Sequence, residues 1–165
     1  MRVFITGATG LIGTAVVAEL LSAGHDVTAL ARSDSSAAKA EAAGARAVRG
    51  SLVDLDVLRT QAETADGVIH LAFGNDFSSP EALARNVAEE SAALDALGQA
   101  LVGSGKPFVT VSGTPVAAGR PSTEDDPLPT DGPVGGRSVS VGRALALAGQ
   151  FPSSEAAPPT RTVTS

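Results

Sequence analysis

The segment Thr6 to Gly13 (TGATGLIG) constrains this chain more than any other. It follows Arg2 to Thr6 (RVFIT), a β-branched and aromatic run with the length of a buried strand. A helical period begins at Leu11 and sets Leu11, Ile12, Ala15, Val16, Leu20 and Leu21 on one side, with Gly24 at the stop. A strand that turns through glycines into a helix presents first-turn amides with no partner inside the helix. A dinucleotide pyrophosphate requires such amides, a tight bend, and a backbone it can approach without meeting a Cβ. Gly7, Gly10 and Gly13 meet those needs, in a G-x-x-G-x-x-G spacing rather than G-x-G-x-x-G, and Thr9, Leu11 and Ile12 complete the candidate phosphate loop. The alternative reading is a tight strand-to-helix turn that holds no ligand.

The rest of the chain supports the dinucleotide reading by its order. His25 to Arg32 reads as a second strand, Ser35 to Ala43 as an alanine-rich helix, and Ala45 to Val48 as a short third strand. Asp54 to Ala65 is helical in pattern and opens on a carboxylate suited to cap the first turn. Gly67 to Phe73 (GVIHLAF) is an apolar run of strand length, Pro80 to Val102 a long helix, and Lys106 to Ser112 a fifth strand. Alternation of this kind predicts an α/β fold, a parallel sheet with helices on both faces. Residues 115 to 136 read as a loop and 138 to 149 as one more short helix. From Phe151 onward (FPSSEAAPPTRTVTS) no period survives, so the expected division is a nucleotide-binding domain over 1–149 and a disordered tail over 150–165.

Cofactor choice is read about 20 residues past the last glycine of such a loop, where an acidic residue would accept from the ribose hydroxyls of NAD. Here the positions hold Ala31, Arg32 and Ser33. A guanidinium beside a hydroxyl suits a 2′-phosphate, which favours NADP, while Asp34 keeps NAD possible. Ser51 and Leu52, after the third strand, are placed to flank the adenine. Leu71, Ala72 and Phe73, after the fourth, are placed to line the path toward the nicotinamide. His70, inside an apolar run, reads as a core histidine, and His25 as a surface one.

Composition removes several function classes. With no cysteine there is no disulfide framework, thiolate nucleophile or Cys-ligated metal site. With no tyrosine there is no phenol to serve as a proton donor. A net charge of −6 with scattered basic residues argues against nucleic acid as a partner. No apolar run reaches the roughly 18 residues of a membrane span, and the start MRVFITG has no signal-peptide pattern, so a soluble cytoplasmic protein with a small-molecule substrate is expected.

Over about residues 1 to 114 the sequence resembles the short-chain dehydrogenase/reductase superfamily, in its extended or atypical branch of NAD(P)-dependent epimerases, dehydratases and reductases. TGATGLIG is similar to that branch's TGxxGxxG, GVIHLAF to its fourth-strand segment, Asn86-Val87 to its Asn-containing helix, and FVTVSGT to the strand that ends in its catalytic serine. The resemblance implies a Rossmann-type doubly wound sheet with Ser112 as the active-site hydroxyl and Thr114 as a second choice. It also implies a Tyr-x-x-x-Lys pair, which this chain lacks. Lys39 and Lys106 are its only lysines, and the expected segment reads GGRSVSVGRALAL, with Arg137, Ser138 and Ser140 as counterparts of the pair. A guanidinium there could bind phosphate or carboxylate.

Extended members continue for well over a hundred further residues, with a sixth strand and a substrate lobe. The abrupt loss of strand and helix period just past a helix start therefore predicts a chain incomplete at its carboxyl end, truncated or shifted in frame after about residue 140. Three functions follow: an NAD(P)-linked reductase or epimerase of small carbonyl or sugar-like substrates, a non-catalytic dinucleotide-binding module, or a remnant that binds cofactor weakly.

Overall fold

The computed structural model describes residues 1–123, 125–131, 135–148 and 162–164. Strands β1 (Arg2–Thr6), β2 (Asp26–Ala31), β3 (Arg46–Arg49), β4 (Gly67–His70), β5 (Phe108–Ser112) and β6 (Thr162–Thr164) alternate with helices α1 (Leu11–Ser22), α2 (Asp34–Ala42), α3 (Leu55–Thr64), α4 (Pro80–Leu101) and α5 (Gly135–Ala148). The strands form one sheet in the order β3-β2-β1-β4-β5-β6. All neighbouring pairs are parallel. The chain winds outward from β1 to β3, then returns to β4 and winds the other way. This is the doubly wound Rossmann-type arrangement, a fold in which ligands bind outside the carboxyl ends of the strands where the strand order reverses, here β1 and β4.

Each face of the sheet has its own core. Phe4, Val68 and Phe108 pack with Leu58 and Ala62 of α3, Leu94, Leu97 and Leu101 of α4, and Ala144 of α5. Ile5, Val27 and Ala29 pack on the other side with Val17 of α1 and Ala40 of α2. Burying each large side chain contributes roughly 1.5–3 kcal/mol, so the first face, with its two phenylalanines and four leucines, carries more of the stability than the alanine-rich second.

Helix α1 buries a different line from the one its apolar pattern suggests. Gly13 and Val17 are buried, with Val16, Leu20 and Leu21 partly so, while Leu11 is 95% exposed and Ile12 47%. The glycine at 13 moves the contact line, because its missing side chain lets the helix close on the strand–helix turn. The expected cap at Asp54 is also corrected. Its carboxylate makes no bond to the amides of α3 and instead accepts from the Ser51 backbone N–H and hydroxyl, both at 2.7 Å.

The fourth strand ends at His70 rather than Phe73, and residues 71–79 cross above the sheet edge as irregular chain. Within the tail read as disordered, Thr162–Thr164 pairs with β5 in the register Thr110↔Thr162 to Ser112↔Thr164. Three β-branched residues suffice to occupy a free strand edge, yet are too few to show a period in sequence. Residues 149–161 and 165 of that tail lie outside the described residues.

Candidate functional site

The glycine loop occupies the switch point. Gly7 takes φ +76°, a conformation that favours glycine, and a Cβ on it would stand 2.8 Å from the Ala72 nitrogen and the Leu71 carbonyl carbon. Gly13 has no room either, since a Cβ there would strike the Gly7 carbonyl oxygen and the Ala8 backbone. Gly10 is the N-cap of α1, and its amide donates to Gly7 O at 3.1 Å. A Cβ on Gly10 would meet only Gly7 O, at 3.3 Å, and otherwise project into open space. Thr9, Leu11 and Ile12 are exposed around this point. Gly7 and Gly13 are thus required for packing, whereas Gly10 is small toward the outside, where a phosphate would approach the first-turn amides. The residues present fit a dinucleotide pyrophosphate.

The remaining predicted contacts divide. Arg32 stands exposed just past β2, with no ion pair among the described residues. The Ser33 hydroxyl is committed to capping α2, accepting from the Ser36 N–H at 3.1 Å. The Ser51 hydroxyl is likewise committed to Asp54, and Leu52 packs partly buried against the core. Leu71, Ala72 and Phe73 are half-buried beside the glycine loop. The Ala72 N–H donates to Thr6 Oγ1 at 3.3 Å and the Leu71 N–H to Thr6 O at 3.1 Å, which ties the end of β4 to the start of the loop.

Above the aromatic and aliphatic core lies a layer of buried polar side chains. Thr6, His70 and Thr110 are neighbours in register across β1, β4 and β5, and all three are fully buried. Thr6 Oγ1 lies 2.8 Å from His70 Nδ1, and the same hydroxyl accepts from the Ala72 N–H. His70 Nε2 is buried without a partner among the described residues. Burial, with Arg137 nearby, pushes the His70 pKa down to about 4, so the ring is neutral. It is the core histidine the sequence suggests, and it braces the two strands that flank the crevice.

Ser112 ends β5 on the same face, 3% exposed, its hydroxyl donating to Gly113 O at 2.9 Å. To reach a substrate that hydroxyl must rotate away from its own backbone. Thr114 is exposed one turn of chain further on. Helix α4 supplies Asn86 and Glu90, four residues apart on its buried face. Asn86 Nδ2 donates to the carbonyls of Gly74 at 3.2 Å and Asp76 at 2.8 Å, fastening the chain that follows Phe73.

Glu90, 1% exposed, receives Arg137 of α5 in a two-pronged ion pair, Nε to Oε2 at 2.8 Å and Nη2 to Oε1 at 2.7 Å. The guanidinium also lies over the Phe73 ring, 4.4 Å from its centre. The carboxylate that Arg137 meets is thus one of the chain's own. Ser138 donates to Pro129 O and Ser140 is buried in α5, so neither hydroxyl stands open. Glu90 escaped the sequence reading although its position was legible: on α4 the buried line runs Ala82, Asn86, Glu90, Ala93, Leu94, Leu97 and Leu101, a helical stripe in which two slots hold polar residues.

A cavity of about 410 Å³ opens at the opposite, amino-terminal edge of the sheet, among Arg2, Thr28, Arg46, Gln61 and Thr64. Arg2 there is paired with Asp66 at 2.7 Å. It is remote from the glycine loop and takes no part in this site.

The sequence profile of the NAD dependent epimerase/dehydratase family matches residues 3–136, most of the chain. The chain belongs to that family. It is 47% identical over 116 residues to the uncharacterised protein YLL056C of Saccharomyces cerevisiae, a match that takes in 69% of this chain and 38% of that one. Among solved structures it superposes on Bordetella bronchiseptica WbmG in complex with NAD and UDP with a TM-score of 0.72 at 19% identity, covering 88% of this chain and 49% of the other, a likeness of fold. A short-chain dehydrogenase/reductase superfamily protein from Agrobacterium tumefaciens with bound NAD gives a TM-score of 0.68 at 25% identity, over 99% and 48% of the two chains. The chain spans about half the length of these two solved structures. Among its described residues no helix is long and apolar enough to cross a membrane.

Proposed function

We propose that this chain binds a nicotinamide dinucleotide across the carboxyl ends of β1 and β4, as the cofactor-holding part of a protein acting on small carbonyl or sugar-like substrates. The observation that carries this reading is the glycine cradle: Gly7 and Gly13 close the turn, while Gly10 alone opens outward at the amino end of α1. When bound, the cofactor supplies hydride transfer. The chain's own residues have separate tasks. First-turn amides of α1 hold the pyrophosphate, and Leu71, Ala72 and Phe73 form the wall on the nicotinamide side. Ser112 donates a hydrogen bond to a substrate oxygen after leaving Gly113 O. Arg32 binds a ribose 2′-phosphate, which favours NADP over NAD. That preference rests on Arg32 alone, since Ser33 is engaged in its cap.

A second reading, a dinucleotide-binding module without turnover, is favoured by two observations: the chain has no tyrosine, and the arginine in the expected segment is locked to Glu90. Titration of NADPH and NADH distinguishes cofactor binding from turnover. Because the protein has no tryptophan or tyrosine, emission of the reduced nicotinamide is read with little protein background. Binding by the native chain, weakened at least about tenfold (~1.4 kcal/mol) in Gly10→Val, is the expected result. Equal affinity of Gly10→Val would remove the pyrophosphate from the loop. Oxidation of NADPH by any of a panel of carbonyl compounds would reject the module reading.

A further inference from the structure

Three features of Arg137 bear on what it can recognise. Its Nε and one N–H of Nη2 are engaged by the Glu90 carboxylate, which is almost wholly buried. One face of its guanidinium is covered by the Phe73 ring. Its Nη1 takes part in no hydrogen bond among the described residues, and 18% of the side chain remains exposed. The group is thus held by Glu90 and Phe73 and partly exposed, beside the segment that follows β4.

We infer that Arg137, through Nη1, is the hydrogen-bond donor of this crevice to a neutral oxygen of the substrate, a carbonyl or hydroxyl, and that its pairing with Glu90 makes it reject anions. The inference deepens the proposed function and rests on it. A lone guanidinium prefers carboxylate or phosphate, with two donors parallel on one edge. Here the Nε–Nη2 edge is filled by Glu90, and the carboxylate opposes the field an incoming anion would feel at the remaining Nη1–Nη2 edge. What is left, the two N–H groups of Nη1 and the second of Nη2, is a rigid set of donors on a guanidinium whose charge is already paired. Such donors satisfy a ketone or hydroxyl oxygen, which pays less desolvation than an ion on entering.

The bidentate pair and the Phe73 contact also remove the rotational freedom that a long side chain would otherwise lose on binding. Arg137 then stands where a phenol is missing, as a fixed donor that holds and polarises the oxygen but gives up no proton.

The test uses the full chain with NADPH present and follows the Arg137 side-chain N–H resonances, assigned through their proximity to the Phe73 ring. Cyclohexanone and cyclohexanecarboxylate are titrated as a neutral and an anionic probe of similar shape. The ketone is expected to shift the Arg137 resonances with an affinity at least about tenfold tighter than the carboxylate. Glu90→Gln is expected to reverse that order, because the charge is then uncompensated.

Carboxylate binding as tight as ketone binding in the native chain, or Arg137 resonances unmoved by the ketone, overturns the inference. If Glu90→Gln fails to fold, the comparison within the native chain decides alone. NADPH shifts at the amides of Gly7 to Gly13 report separately on the dinucleotide reading. Their absence would reject that reading whatever the ketone does, whereas their presence with an unmoved Arg137 would reject only the inference drawn here.

Discussion

His70 shows how a single side chain links packing to pH. Its pKa falls from 6.5 to about 4 on burial, so the folded protein holds it neutral while the unfolded chain protonates it below about 6.5. Between those values the unfolded state binds more protons, and stability rises with pH. The contribution is complete above about 6.5 and is lost as pH falls toward 4, a change on the order of 3 kcal/mol. His70→Asn, which keeps a polar atom near Thr6 and removes the ionising ring, is expected to flatten this part of the curve. Urea midpoints measured at intervals from pH 4 to 7 check it, and an unchanged slope would place the pH dependence elsewhere. Arg32 is the second residue with its own prediction. Arg32→Ala should weaken NADPH by about tenfold or more and leave NADH within about twofold, read by the same fluorescence titration. Equal effects on both cofactors would remove the argument for NADP.

Two helices frame the crevice, and they hold it by different means. α4 clamps the 71–79 segment through Asn86, whose amide holds the Gly74 and Asp76 carbonyls, and α5 reaches the same segment through Arg137 over Phe73. Removing one partner of a buried ion pair strands the other, so Arg137→Met is expected to cost about 3–5 kcal/mol. Replacing both, as Glu90→Leu with Arg137→Met, should recover most of that loss, as chemical denaturation of the single and double variants will show. Failure of the double variant to recover would mean that the pair stabilises the helix contact in a way an apolar pair cannot.

Element existence was legible because each strand and helix has its own period. What each helix buries was less so. The α1 face was misread because exposed Leu11 and Ile12 are apolar while buried Gly13 is a glycine, and a pattern of apolar residues cannot register a contact made by an absent side chain. Asp54 looks like a cap in sequence, but Ser51 three residues earlier offers it an N–H and an O–H together.

At the scale of the molecule, the alternation of strands and helices predicts the parallel sheet, and the glycine loop predicts which end of it carries the crevice. The buried polar layer of Thr6, His70, Thr110, Asn86, Glu90 and Ser112 was only partly legible. Its members are scattered over the sequence, and only strand register and helix packing bring them to one level of the fold. β6 was hidden for a related reason: three residues acquire meaning only beside the open edge of β5. The sheet order also explains why the loop is so intolerant. Gly7 sits where the chain leaves β1 against the chain leaving β4, so Gly13→Ala or Gly7→Ala should destabilise the fold, while Gly10→Val should leave it folded and spoil only the ligand face.

Calorimetric titration of NADPH into the native chain and into Gly10→Val, each first shown to be folded by its circular dichroism, decides whether the glycine loop holds a dinucleotide. One site per chain in the native protein and a loss of at least about tenfold in affinity in the variant are expected. No heat of binding in the native chain, or the same affinity in both, would contradict that expectation.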